Sequence, residues 1–173
     1  MSSNGKSPTD ALIVSGARTP FGKFLGGLAG LSAPQLGAVA VRAAVERAGV
    51  APAEIEEVLL GHVISAGSGQ APARQAAQLA GLPDEVGAAS INKVCGSGLK
   101  AVMLAAQAIR AGDAHLLVAG GMESMSAAPH LLRGRQGFRY GHQTAQDAIV
   151  VDGLQCTLEN WMMGDAAEFI ADE

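Results

Sequence analysis

A cysteine in this 173-residue sequence stands where a short β-prone run meets a helical pattern. Cys95 begins the turn CGSG, whose glycines carry no Cβ and therefore allow a tight bend. Such a turn directs the cysteine towards the start of the helix that follows from Leu99. The unbonded N–H groups and the positive dipole end of a helix start favour a thiolate, which is a nucleophile. Since the same N–H groups can hold a developing oxyanion, Cys95 is the candidate catalytic nucleophile.

The spacing around Cys95 is also compatible with a purely structural role. An unpaired cysteine often behaves as a small buried hydrophobe. Two glycines in a turn can simply connect a strand to a helix. Spacing alone therefore leaves both interpretations open.

Strand and helix patterns alternate around this cysteine. Short apolar or β-prone runs predict strands at residues 11–14, 57–65, 90–94 and 115–120. Helical spacing and capping residues predict helices between Ser32 and Gly49, at residues 71–80 and 99–111, and from Asp165 onward. This alternation predicts an α/β fold, in which ligands collect at the carboxyl ends of the parallel strands. Cys95 follows one such end.

Histidines and arginines elsewhere give weaker signals. His62 lies within a predicted strand, where a lone histidine is more often a core or edge residue than a ligand. Three arginines lie in a glycine-containing stretch, for which a solvated loop is favoured over a site for phosphates or for another subunit: Arg133, Arg135 and Arg139. His130 and His142 have no partners at ligand spacing, so the sequence predicts no metal site.

Composition argues against several classes of function. The net charge is −4 and no run of basic residues occurs, so nucleic acid is not an expected partner. No apolar run reaches membrane-spanning length, so no membrane partner is expected. Two cysteines cannot form a disulfide framework, and the polar first ten residues lack a signal-peptide core. These features predict a cytoplasmic protein.

Four stretches, in order along the chain, resemble motifs of the thiolases, the acetyl-CoA acetyltransferase family. The stretch at residues 91–109, INKVCGSGLKAVMLAAQAI, is similar to the nucleophile segment of that family. The others are SGARTPFGKF at 15–24, GGMESMS at 120–126 and MGDAAE at 163–168. The resemblance extends from about Ala11 to the end of the sequence and favours the catalytic interpretation of Cys95.

The resemblance implies a thiolase-like layered α/β fold, of which this chain supplies the N-terminal half. That half has a mixed, mostly parallel sheet flanked by helices. The expected division is a disordered N-terminus at residues 1–10, an α/β core at 11–121 and the start of a loop domain at 122–173. Because the helical pattern after Asp165 has no stop signal, we expect the loop domain to be truncated.

In the thiolase family, a cysteine at the position of Cys95 attacks an acyl-CoA thioester and holds the acyl group. A second acyl-CoA then attacks this acyl-enzyme to form a 3-oxoacyl-CoA, and the reverse reaction cleaves it. The resemblance implies coenzyme A thioesters as substrates and no further cofactor. It also assigns Leu154, Met162 and Met163 to the CoA and acyl pocket, although their spacing alone favours ordinary packing. Short-chain biosynthetic members commonly have histidine in place of Met162, which leaves the preferred acyl length open.

Three family motifs are missing from the sequence. They are the glycine-histidine-proline motif of the activating histidine, the C-terminal cysteine that acts as the base, and an asparagine-glutamate-alanine-phenylalanine motif. One hypothesis is therefore an acyltransferase represented by its nucleophile-bearing half, which forms a homo-oligomer or packs on the C-terminal half of the enzyme. The other is a non-catalytic or half-site chain that packs on a partner, as in a split or truncated thiolase.

Overall fold

The computed structural model describes residues 10–173, and a three-stranded parallel sheet lies at its centre. The strands are β1 (Glu57–Gly61), β2 (Gly87–Ile91) and β3 (Leu117–Gly121). Their order is β2-β1-β3, so β1 pairs with a strand on each side. Gly61 is in register with Ile91 and with Gly121, which brings the carboxyl ends of all three strands to one edge.

Helices cover both faces of this sheet. The helices are α1 (Ala33–Ala48), α2 (Pro72–Ala80) and α3 (Ser97–Ala111). Val58 and Leu60 point to the face on which α1 and α2 pack, whereas Leu59 points to the face covered by α3. This alternation follows from the two-residue period of a strand, and it produces three layers. The predicted α/β fold is therefore confirmed.

The residues predicted to begin and end α1 do so. Ser32 accepts a hydrogen bond from the N–H of Gln35 at 3.4 Å, and the Gln35 side chain accepts one from the N–H of Ser32 at 2.8 Å. This reciprocal pair is a capping box, and it satisfies two of the N–H groups that a helix start leaves unpaired. Gly49 ends the helix in the left-handed conformation.

Strand ends differ from the predictions because side chains bond the neighbouring backbone. β1 stops at Gly61 instead of reaching residue 65, since the Glu123 carboxylate binds the N–H groups of Val63 and Ile64. β2 lies at Gly87–Ile91 instead of residues 90–94. There the chain turns after Ile91, where the Asn92 side chain accepts from the N–H of Val94. In both cases, residues that the sequence predicts to be strand lie instead in turns beside the sheet.

The prediction of a strand at residues 11–14 is wrong. These residues form no strand, and the side chains of Leu12, Ile13 and Val14 are 57%, 86% and 67% exposed. A groove of about 610 Å³ separates residues 10–17 from β3, so the two backbones do not pair. An isolated apolar run without a neighbouring ladder cannot become a strand. The predicted disorder at residues 1–10 concerns, apart from Asp10, residues outside the described part.

The C-terminal part contains short elements. Two-residue strands β4 (His130–Leu131) and β5 (Gln146–Asp147) pair antiparallel, apart from the parallel sheet. A π-helical turn follows at Val150–Leu154, and α4 comprises Met163–Ala171. Phe169 of α4 packs edge-on against Trp161 with ring centroids 5.6 Å apart. Among the helices of residues 10–173, none combines the length and the hydropathy needed to cross a bilayer.

Glu56 joins the amino ends of β1 and β3 and supports the first prediction. Its Oε1 accepts the N–H of His115 at 2.8 Å and that of Leu116 at 3.2 Å. These two bonds hold the pKa of Glu56 below its ordinary value, and the bond from His115 has the larger effect. A carboxylate whose pKa falls on folding stabilises the fold above its unfolded pKa, and the contribution is lost as the pH drops through its folded pKa.

We therefore expect Glu56→Gln to lower the thermal midpoint at neutral pH. The difference from wild type should shrink as the pH falls below about 4.3, the unfolded pKa of a glutamate. Circular dichroism melts over a pH series measure this. Glu85→Gln is the matched control, because Glu85 is exposed and its side chain makes no hydrogen bond within residues 10–173. An equal, pH-independent loss in both variants would contradict the role of Glu56.

Candidate active site

Cys95 is exposed and directly precedes Gly96, the residue that caps α3. The turn before it is held by the buried Ser97, whose Oγ accepts from the N–H of Lys93 at 2.8 Å and donates to the carbonyl of Val94 at 2.6 Å. Asn92 Oδ1 accepts from the N–H of Val94 at 3.0 Å. Side chains on both sides of Cys95 therefore fix the backbone that presents its thiol.

Val94 adopts φ +47°, in the left-handed region. A β-branched residue rarely adopts this conformation, because its Cβ crowds the backbone, and the strain costs about 1–3 kcal/mol. The Val94 N–H donates to Asn92 Oδ1 and the Val94 carbonyl accepts from Ser97 Oγ, and these two bonds hold the residue there. Such strain persists where the surroundings over-determine the backbone, and it here fixes the conformation directly before Cys95. Sequence reasoning missed this residue, since valine gives no turn signal.

Two of the four N–H groups at the start of α3 already have acceptors in the preceding turn. The N–H of Gly96 donates to the carbonyl of Lys93 at 3.1 Å, and that of Ser97 donates to the carbonyl of Val94 at 3.0 Å. Both donors are therefore used by the turn. The N–H groups of Gly98 and Leu99 have no acceptor within the helix, as in the first turn of any α-helix. These two N–H groups and the positive end of the helix dipole are what this end of α3 offers to a negatively charged group.

Glycines bring the start of α3 against the ends of two strands. A Cβ on Gly61 would lie 2.6 Å from the N atom of Gly98 and 2.6 Å from the carbonyl carbon of Ser97. A Cβ on Gly121 would lie 3.4 Å from the Cα of Gly98. No side chain fits between these backbones at Gly61. The close approach places Cys95 at the carboxyl edge of the sheet, as predicted.

A cavity of about 580 Å³ opens beside Cys95. Its size falls within the range of small-molecule sites. The loop after β3 contributes Glu123, the N-terminal segment contributes Arg18 and Lys23, and Leu154 lies on the wall. The Arg18 guanidinium stacks over the Phe21 ring at 4.2 Å from its centroid. The thiol thus shares a mainly apolar cavity with both positive and negative groups.

Glu123 and His62 form a pair at this edge of the sheet. His62 is 3% exposed, and its Nε2 lies 3.3 Å from Glu123 Oε1. The same carboxylate accepts the N–H of Val63 at 2.9 Å and that of Ile64 at 3.2 Å. His62 is therefore a buried residue of the sheet edge, in agreement with the sequence analysis. The carboxylate that pairs with it was missed, although the GGMESMS motif contains it.

The residues assigned to the acyl pocket by resemblance separate into two groups. Leu154 lines the cavity that contains Cys95. Met162 instead caps α4, where its N–H donates to the Asp165 carboxylate at 2.9 Å, and Met163 is 42% exposed in the first turn of that helix. Neither methionine lines the cavity. No cluster of metal-ligating side chains occurs in the part of the chain from Asp10 onward.

The comparisons with known proteins agree with this fold. Residues 11–173 match the model of the thiolase N-terminal domain. The chain belongs to the thiolase family. It is 60% identical over 166 residues to an acetyl-CoA acetyltransferase of Cupriavidus necator, and 51% identical over 165 residues to one of Pseudomonas aeruginosa. It is 52% identical over 162 residues to a cytosolic acetyl-CoA acetyltransferase of Gibberella zeae.

These alignments cover most of this chain but less than half of each relative. They include 95%, 95% and 93% of this chain, but only 42%, 42% and 41% of the three relatives. The chain therefore spans about two fifths of the length of the curated relatives it matches. The resemblance seen in the sequence motifs is confirmed, and it concerns the N-terminal part of this family.

The close approach at Gly61 generates the second prediction. We expect Gly61→Ala to destabilise the chain by about 1–3 kcal/mol, as overpacking does, and to slow alkylation of Cys95. The added Cβ would displace the start of α3. Gly120→Ala is the control, because its Cβ would meet only Leu60 Cδ2 at an ordinary 3.8 Å. Urea unfolding and the rate of iodoacetamide labelling measure the two effects, and equal results for both variants would contradict the steric argument.

Proposed function

We propose that this chain is the nucleophile-bearing N-terminal part of an acyl-CoA C-acyltransferase of the acetyl-CoA acetyltransferase type. The observation that carries the proposal is the exposed thiol of Cys95, at the start of α3, beside a cavity at the carboxyl edge of the sheet. The names of the relatives from Cupriavidus necator and Pseudomonas aeruginosa support the choice of reaction. Acyl-CoA thioesters are the proposed substrates, with no further cofactor.

In the proposed reaction, the Cys95 thiolate attacks the carbonyl carbon of an acyl-CoA thioester. The bond between that carbon and the CoA sulfur breaks, CoA leaves as the thiol after taking up a proton, and the acyl group remains on Sγ. A second acyl-CoA, deprotonated at its α-carbon, then attacks the acyl-enzyme. The product is a 3-oxoacyl-CoA, and the Cys95 thiolate is released. In the reverse direction, the Cys95 thiolate attacks the 3-oxo carbon, the bond to the α-carbon breaks, and the shortened acyl-CoA leaves after its α-carbon takes up a proton. A CoA thiolate then takes the acyl group from Sγ as a new thioester.

This chemistry needs two groups that the resemblance assigns to motifs missing from the sequence. Nucleophilic catalysis requires a base that activates the thiol, and condensation requires a second proton acceptor. We infer that the remainder of the enzyme supplies both. Leu154 is proposed to contact the acyl group, because it lines the cavity beside Cys95. A role for Met162 and Met163 rests on the family resemblance alone.

Exposed apolar surfaces support the proposal that a partner chain packs on this one. The outer face of α3 exposes Leu99, Val102 and Met103 at 68%, 37% and 46%. A contiguous exposed apolar patch is unusual on a soluble monomer and indicates an interface. The C-terminal half of the enzyme is the proposed partner of this face and of the groove beside β3, because the relatives are more than twice as long as the matched region. A homo-oligomer of the assembled enzyme is proposed in addition.

A cytoplasmic location is proposed on two grounds. A relative from Gibberella zeae is named as cytosolic. Within the described residues, Cys95 and Cys156 are both free thiols, which is the state that a reducing compartment maintains. The two observations favour the same compartment.

The third prediction compares the two cysteines. Cys95 should react with limiting iodoacetamide well before Cys156, because Cys95 is exposed at a helix start, whereas Cys156 is only partly exposed. Peptide mass spectrometry of the folded chain after short labelling measures the ratio. Cys156→Ala should leave the labelling rate of Cys95 unchanged. Preferential labelling of Cys156 would contradict the assignment of the nucleophile.

The fourth prediction concerns turnover. The 173-residue chain alone should show no steady-state thiolysis of acetoacetyl-CoA, and addition of the C-terminal half of a close relative should restore it. Cys95→Ala should abolish the restored activity without preventing the complex from forming. Gel filtration checks that the complex forms. Restored activity in Cys95→Ala would overturn the assignment. A complex that forms and remains inactive would favour the alternative hypothesis of a non-catalytic chain that packs on a partner.

A further inference from the structure

Two carboxylates join β1 to β3, one at each end of the strands. At the amino end, Glu56 accepts two successive N–H groups, those of His115 and Leu116. At the carboxyl end, Glu123 accepts the successive N–H groups of Val63 and Ile64. We call these contacts the amino-end clamp and the carboxyl-end clamp. Each clamp connects chain segments about sixty residues apart and therefore fixes the two strands against each other.

Each clamp also includes a histidine, but the two histidines differ in burial. The Glu56 Oε1 lies 3.5 Å from Nδ1 of His115, whose side chain is 86% exposed. The Glu123 Oε1 lies 3.3 Å from Nε2 of His62, whose side chain is 1% exposed. Loss of a buried partner costs more than loss of an exposed one, because water cannot replace it. The geometry of the carboxyl-end clamp is therefore fixed more strongly than the geometry of the amino-end clamp.

The carboxyl-end clamp lies next to the strand ends against which α3 begins. His62 directly follows Gly61, and Glu123 comes two residues after Gly121. Those two glycines are the last residues of β1 and β3, and both lie against Gly98 at the start of α3. Since no side chain lies between these backbones, a change in the spacing of the strand ends passes directly to the first turn of the helix. Cys95 precedes that turn.

The histidine ring of this clamp faces the carboxylate through Nε2, which lies 3.3 Å from Glu123 Oε1. Since a carboxylate only accepts hydrogen bonds, a bond between the two groups needs the proton on Nε2. Nδ1 is buried and finds no hydrogen-bond partner in the described part of the chain, so the contact with Glu123 is the one that orients the ring. A glutamine amide reaches about as far as Nε2 and also donates. His62→Gln is therefore the conservative replacement, and His62→Leu removes the donor at similar volume.

We propose that Glu123 and His62 are positioning residues for Cys95. The carboxyl-end clamp fixes the ends of β1 and β3, the two strand ends seat the first turn of α3 through Gly61 and Gly121, and that turn sets the surroundings of the thiol. The meaning of this for catalysis rests on the proposed role of Cys95 as the nucleophile. The positioning itself is measurable on the thiol without any turnover.

The fifth prediction tests this with four variants of the 173-residue chain: Glu123→Gln, His62→Leu, His62→Gln and Glu56→Gln. Glu56→Gln is the matched control, because it weakens the same kind of clamp at the end of the sheet far from Cys95. The rate of Cys95 alkylation by iodoacetamide is measured by mass spectrometry across a pH series that brackets about 8.5, the ordinary pKa of a cysteine. Thermal melts record the stability of each variant.

Glu123→Gln and His62→Leu should slow Cys95 alkylation by about fivefold or more across the pH series, since small displacements of a reacting group have large effects on rate. Glu56→Gln should stay within about twofold of wild type even where its thermal midpoint falls as far, and His62→Gln should recover most of the wild-type rate. A role in stability alone would change the melts and leave the alkylation profiles alike.

Two results would overturn the proposal. One is an equal Cys95 rate in Glu123→Gln, His62→Leu and the control Glu56→Gln. The other, which decides the matter if Glu123→Gln does not fold, is an equal rate in His62→Leu and His62→Gln. A wild-type Cys95 that reacts more slowly than Cys156 would instead count against the proposed nucleophile, and the ratio among variants would still report on the clamp.

Discussion

The architecture around the thiol depends on the contact between three backbones at Gly61, Gly98 and Gly121. A helix normally lies about 10 Å from a sheet because side chains separate them. Here a Cβ at Gly61 would come within 2.6 Å of the first turn of α3, so the helix start rests directly on the strand ends. The turn before the helix, the cavity and the paired carboxylate are all arranged around this contact.

The layers of the fold could be predicted because each follows from a local period. The apolar positions of α1 and α3 recur at helical spacing, and Gly49 and Gly112 end those helices in the left-handed conformation. The central strand is a short apolar run between turn residues, which favours a strand buried on both faces. Strand ends were less predictable, because Glu123 and Asn92 decide them through hydrogen bonds from outside the strands. The run at residues 11–14 has the composition of a strand but no ladder beside it.

The candidate site divides in the same manner. Cys95 and its turn were found from neighbouring residue types, whereas the close approach of Gly61 and Gly121 to the helix start was not predicted. Val94 and the pair of His62 with Glu123 were not found. Val94 has a strained backbone conformation that its residue type does not predict. His62 and Glu123 are about sixty positions apart in the sequence, so their contact could not be predicted from neighbouring residues. Leu154 reaches the cavity wall from more distant sequence, where only family resemblance indicated it.

The groove beside β3 also has a consequence for how the protein is made. β3 is at the edge of the sheet, and the apolar residues 11–14 lie across the groove instead of pairing with it. A strand edge with unpaired N–H and C=O groups is a template for any extended chain, including a second nascent copy. Proteins emerge from the ribosome at roughly 5–20 residues per second, so such an edge is exposed for seconds while the residues after β3 are made. Correct assembly is therefore in competition with aggregation, and the balance depends on local concentration and on chaperone capacity.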